Sequence, residues 1–178
     1  MMTTYILLLR GVMPSGKNKV PMAQLREVLA EAGFQNVRTY IQSGNACVDT
    51  ELPAKEVEKQ VHELIKKQIG ADLVVVVRTD KELQHVLANN PFQEGYDISR
   101  VFFVLFAQLP SAEKVKELVT QNFDEEKLAI AGDAAYMYIP GTYGRGKLSN
   151  NFLEKKLNVS ATMRNFNTLS KLVERSKG

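Results

Sequence analysis

Two short apolar runs, LVVVV at 73–77 and VFFVLF at 101–106, constrain the fold most. Successive side chains of a strand point to opposite faces, so a run with no polar alternation must be covered on both. Both runs are rich in β-branched or aromatic residues and far too short to cross a membrane as helices. They predict a layered molecule, two halves packed together with few open sheet faces.

Helical periodicity fills the intervals between strands. Residues 21–32 set Met22, Leu25, Val28, Leu29 and Ala32 at helical spacing, with Pro21 at the start and Gly33 at the stop. Residues 53–69 repeat the pattern from Pro53 through Val57, Val61, Leu64 and Ile65 to a stop at Gly70. Thr79 and Glu82 have the spacing of a capping box ahead of Leu83, Val86 and Leu87. Further helices are expected from Ser111 through Val119, around 150–157 and around 168–173. Strands are expected at 5–10, 37–42, 45–49, 73–78, 100–107, 128–131 and 134–139, with turns at Ser43-Gly44 and Gly132-Asp133.

The first half therefore reads β-α-β-β-α-β, and the second β-α-β-β-α with a degenerate last strand. This order predicts an α+β protein built as a duplication of ferredoxin-like β-α-β-β-α-β units. The units are expected at 1–79 and 100–178, the second with basic C-terminal helices, joined by a helix and loop at 80–99.

A chain of 178 residues with 44% hydrophobic and 24% charged side chains is an ordinary globular sequence. The opening TTYILLL is a short apolar run without a basic lead, which argues against a secretory leader and for a cytoplasmic location. Cys47 is the one cysteine, so an internal disulfide and a cysteine-built metal site are excluded. His62 and His85 sit among charged neighbours without metal-binding spacing. No metal, cofactor or membrane partner is expected.

The net charge of +3 is unevenly spread. Residues 140–178 hold eight cations against two acids, a net +6, which leaves 1–139 at −3. Such asymmetry attracts polyanions, so nucleic acid or a phosphate-bearing small molecule is the expected partner.

One loop imitates a nucleotide site. GVMPSGKN at 11–18 matches the G-x-x-x-x-G-K-[ST] phosphate loop in all but its last position, where Asn18 replaces the magnesium-binding hydroxyl. A true phosphate loop runs straight into its helix, whereas Pro21 places this helix start four residues after Lys17. Strand 73–77 is followed by Arg78, not by an acid to hold the metal. The chain is not expected to be a P-loop NTPase or to hydrolyse ATP or GTP. Arg10, Lys17 and Lys19 around the two glycines still offer a place for an anion. A second glycine-rich loop, PGTYGRGKLSNN at 140–151, joins Arg145 and Lys147 to a polar helix start at Ser149, Asn150 and Asn151. Loops after the first and third strands are expected at the same end of a sheet, so Lys17, Arg145 and Lys147 are expected to converge on one anionic group.

The segments LLLRGVMPSGKNKVPM, TYIQSGNACV, KLSNNFLEKKL and ATMRNFNT resemble, in order, the signature segments of a bacterial family called domain of unknown function 1697. The resemblance spans almost the whole chain and implies a duplicated ferredoxin-like topology. Met13 and Pro14 depart from it, because a smaller or more polar pair is expected there. The family has no agreed activity, so the resemblance transfers no catalytic role. It marks Arg10, Gly11, Gly16, Lys17 and Asn18, then Gln42, Ser43, Gly44 and Asn45. Farther on it marks Ser149, Asn150 and Asn151, then Arg164 and Asn165.

Three functional classes remain. A binding protein for an anionic ligand follows from charge and glycine loops. An interaction module follows from the lack of a catalytic constellation. An enzyme acting on a phosphorylated small molecule would use Lys17, Asn18, Ser43, Asn45, Arg145 and Asn150.

Overall fold

The computed structural model describes residues 1–40 and 44–177. It is a mixed helix and sheet protein with two four-stranded antiparallel sheets and, among the described residues, six α-helices. The chain runs β1 (Thr3–Leu9), α1 (Met22–Glu31), β2 (Gln35–Thr39), β3 (Asn45–Thr50), α2 (Ala54–Leu64), β4 (Val75–Thr79) and α3 (Asp80–Ala88). It continues through β5 (Val101–Phe106), α4 (Ala112–Val119), β6 (Lys127–Ala131), β7 (Ala134–Tyr138), α5 (Asn150–Leu157), β8 (Ala161–Asn165) and α6 (Phe166–Ser176). The chain divides into two compact units, Met1–Gln84 with Lys171–Gly178, and His85–Ser170.

The first sheet has the order β2-β3-β1-β4 and the second β6-β7-β5-β8, so the same pattern occurs twice. On one face of the first sheet, Tyr5, Leu7, Leu9, Val48, Val75 and Val77 pack with Leu25, Leu29, Val57 and Val61 of the helices. Ile6, Leu8, Cys47 and Val76, which alternate with them, are also buried. Covering a Val or Leu completely stabilises by about 1.5–3 kcal/mol, so burial of both faces of these strands holds each sheet in place. In the second unit, Val104, Phe106, Ala135 and Met137 pack with Leu118, Leu153 and Leu157.

Local signals behave as their chemistry dictates. Thr79 and Glu82 close a reciprocal capping box: the Thr79 amide donates to Glu82 Oε1 at 3.0 Å, and the Glu82 amide to Thr79 Oγ1 at 3.2 Å. The second helix ends in a π turn, Ile65–Ile69, where the Gly70 amide donates to the Ile65 carbonyl at 2.8 Å. Gly70 closes it at φ 96°, a left-handed conformation that costs a side-chain-bearing residue dearly.

Two expectations are corrected. The second unit has a full last strand, because β8 pairs with β5 from Phe102↔Asn165 to Phe106↔Ala161. Its sequence ATMRN hides this: an edge strand is held by its backbone and tolerates a polar outer side. The first and third strands of each unit are antiparallel neighbours, β1 with β3 and β5 with β7. Loops after them therefore leave opposite ends of a sheet, which removes the reason for expecting Lys17 to meet Arg145 and Lys147.

Candidate functional site

The loop after β1 folds on itself before α1 begins. The Met13 amide donates to the Asn18 carbonyl at 2.9 Å and the Lys19 amide to the Gly16 carbonyl at 3.3 Å. These two amides serve the loop's own carbonyls, whereas a phosphate loop would aim its amides at a ligand. The Arg10 amide is tied to the Val74 carbonyl at 3.0 Å.

Beneath this loop lies the chain that enters β3. The Leu9 amide donates to the Gly44 carbonyl at 2.9 Å. Gly44 has φ 81°, and a Cβ there would stand 2.7 Å from Val12 Cγ2 and 3.0 Å from Leu9 Cβ. Only glycine fits. Asn45 is fully buried, and its Nδ2 donates to the Tyr40 carbonyl at 3.3 Å, closing the base of the hairpin. Ser43 and Gln42 lie outside the described residues.

Above Gly44, an open groove of about 800 Å³ runs between the loop and α1. Val12, Met13, Pro14 and Met22 give it apolar walls, and Lys19 and Arg26 its charge. The Arg26 guanidinium donates to the Thr39 hydroxyl on the opposite wall. Among the described residues that line it, none is acidic. Lys17 and Lys19 are exposed, and neither makes an ion pair with a described residue. Arg26 escaped notice in the sequence and Met22 was read only as a core position, although their spacing of four on α1 puts them on one face.

The second glycine-rich loop is built differently. The Leu148 amide donates to Glu126 Oε1 at 2.9 Å, and a Cβ on Gly146 would collide with that same carboxylate. The Asn150 amide donates to the Tyr143 hydroxyl at 2.8 Å, and the Phe152 amide to Ser149 Oγ at 3.0 Å. Lys147 Nζ reaches the Asn122 carbonyl at 3.2 Å. Ser149 is thus the N-cap of α5, and the amides of Leu148, Asn150 and Phe152 already have acceptors. Glu126, which carries no signal in the sequence, accepts from the amide next to this helix start. Arg145 and Asn151 are exposed.

Other marked residues shape the frame. Asn150 Nδ2 donates to the Ala161 carbonyl at 2.9 Å, and the Ala161 amide to Glu154 Oε2 at 2.7 Å, clipping α5 to β8. Asn165 Oδ1 accepts from the Thr168 amide at 2.8 Å and caps α6. Arg164 donates to Thr162 Oγ1 at 2.6 Å and to the Met163 carbonyl at 2.8 Å. Loss of water around its guanidinium pushes the pKa down to about 10, which leaves it charged at neutral pH.

At the edge of the first sheet, Arg38 donates to the Ser176 carbonyl at 2.9 Å and the Arg175 carbonyl at 3.3 Å, capping the end of α6. The Arg175 guanidinium lies 4.4 Å from the Tyr40 ring centre. Cys47 is buried beside them, and burial raises its thiol pKa against the opposing pull of Arg38. His62 Nε2 stands 2.9 Å from Asp72 Oδ1; that hydrogen bond, with Lys66 nearby, holds the carboxyl below its usual range. Among the described residues, no group of His, Cys, Asp or Glu is placed to hold a metal, and no helix is long and apolar enough to cross a membrane.

Comparison with known families places this architecture. The sequence model described as "protein of unknown function (DUF1697)" matches residues 2–136. The chain belongs to the DUF1697 family. Of the motif segments, 7–22 and 39–48 fall within the matched range, while KLSNNFLEKKL and ATMRNFNT lie beyond it. The DUF1697 chain is similar to the conserved bacterial protein SP0830 from Streptococcus pneumoniae, at 23% identity and a TM-score of 0.73 over 99% of each chain. That likeness shows the fold. No curated protein matches the chain.

Proposed function

We propose that this DUF1697 protein binds an anionic ligand at the β1–α1 loop of its first unit. One observation carries the reading: Lys17 and Lys19 stand without carboxylate partners among the described residues, on a loop that borders an open groove lacking acidic lining. The glycine-rich loop of the second unit supports it by contrast, because Glu126 already occupies that place. The cations of this loop suit a ligand in the cytoplasm that carries phosphate or carboxylate groups. The repeated strand order, with the third strand between the first and second, supports the ferredoxin-like reading of each unit.

Thermal shift with nucleotides, sugar phosphates and short RNA tests this. A ligand at about one hundred times its Kd stabilises the native state by about 2.7 kcal/mol. The stabilisation should weaken as salt rises and disappear in Lys17→Glu/Lys19→Glu. Stabilisation that survives this charge reversal, or indifference to every anion tried, acidic peptides included, refutes the reading.

A further inference from the structure

We infer that the groove between the β1–α1 loop and α1 takes a segment of a partner protein in which apolar side chains are flanked by carboxylates. The inference rests on the proposed anionic ligand and names its class. Three features of the groove decide between ligand chemistries.

First, its described lining contains no aromatic ring, so a nucleobase finds no stacking platform there. Second, the amides of Met13 and Lys19 are spent on the carbonyls of Asn18 and Gly16, which takes two N–H donors of the loop away from a phosphate. Third, most of the lining is apolar. Met13 is 54% exposed, and Met22 faces the same space. Thioether side chains adapt to irregular apolar partners and recur at protein-binding surfaces.

Charge fixes the flanks. Lys19 and Arg26 border the apolar strip, and Lys17 adds a third cation two residues along the loop. The Arg26 fork is steadied by the Thr39 hydroxyl. A basic rim around an apolar floor is complementary to an acidic segment with apolar anchors, and opposed charges at a rim set encounter rate and partner choice.

Short random peptides displayed on phage and selected against the full chain supply the probe. Enriched peptides should pair carboxylates with Leu, Ile, Met or Phe. As soluble labelled peptides, their affinity by fluorescence anisotropy should fall about tenfold or more in Lys19→Glu and in Met13→Glu, and fall with added salt. The double variant Lys19→Glu/Arg26→Glu should instead enrich basic peptides. Circular dichroism of each variant confirms that the fold is kept. Enrichment of no peptide, of peptides without this pattern, or of peptides that bind the variants equally overturns the inference. Short RNA or inorganic phosphate that binds and is lost in Lys19→Glu, with no peptide bound, overturns it while leaving the anionic reading intact. If no anion of any class binds, both fall.

Discussion

The loop after β1 in the first unit and the loop after β7 in the second contain the same materials, glycines and cations, and reach opposite states. In the second, Glu126 accepts from the Leu148 amide, Tyr143 from the Asn150 amide, and Asn122 from Lys147. The Leu148 and Asn150 amides and Lys147 are answered from within, while Arg145 stays exposed. In the first, the backbone is closed upon itself while Lys17 and Lys19 face outward without carboxylates among the described residues. Composition therefore does not make an anion site. In the second loop the fold brings in an internal acid, Glu126, from elsewhere in the chain.

The comparison can be broken most severely at Gly44. Gly44→Ala forces a left-handed conformation on alanine, about 1–2 kcal/mol, and a collision with Val12 worth about 1–3 kcal/mol more. Urea denaturation should show a loss of about 2–5 kcal/mol, together with a collapsed affinity for any ligand of the groove. A stable variant with intact binding would mean that Gly44 does not support the loop.

Removing the internal acid should turn the second loop towards the state of the first. Glu126→Ala leaves the partly buried Leu148 amide without its acceptor, a loss of about 1–3 kcal/mol. Sulfate stabilises proteins generally by exclusion, so the informative quantity is the difference between variant and wild type. Sulfate should raise the melting temperature of the variant more than that of the wild type; equal rises would show that Glu126 does not stand in for an anion.

The edge of the first sheet gives a pH test. Burial raises the Cys47 thiol above its ordinary value of 9.0 in the folded state, so the unfolded chain releases its proton first. The stability contributed is fully present below pH 9.0 and is lost as pH rises through the folded value. The stability difference between wild type and Cys47→Ala should hold constant below that point and shrink above it in denaturation curves. A flat difference up to strongly alkaline pH would show that the thiol is open to water.

The smallest effect belongs to the cations themselves. Lys17→Gln/Lys19→Gln should change stability by no more than about 0.5 kcal/mol, because exposed residues without partners contribute little. A larger loss by calorimetry would place them in the frame of the loop and weaken the contrast.

Local chemistry was legible in the residues: the capping box at Thr79 and Glu82, the stop at Gly70, and helix α5 at Asn150–Leu157 all carry short-range signals. The last strand was not, because Arg164 and Asn165 make ATMRN read as polar while its pairing is a property of the backbone. Asn45, Asn150, Ser149 and Asn165 looked like ligand contacts since amides and hydroxyls serve both roles. The structure engages each in a hydrogen bond to the backbone. Glu126 and Arg26 were missed for a common reason. Each acts across a distance in sequence, on Leu148 and on Thr39, that no local pattern encodes.

Arg38 holds the carbonyls of Arg175 and Ser176, which follow it by 137 and 138 positions. During synthesis, the first unit's strands and helices are made while this clasp has nothing to close on. At about 5–20 residues per second, the wait lasts many seconds. Until then the hollow that Arg38, Tyr40 and Cys47 line lacks Arg175. The unit begun first is completed last, so its closure is set by how quickly the second unit is translated.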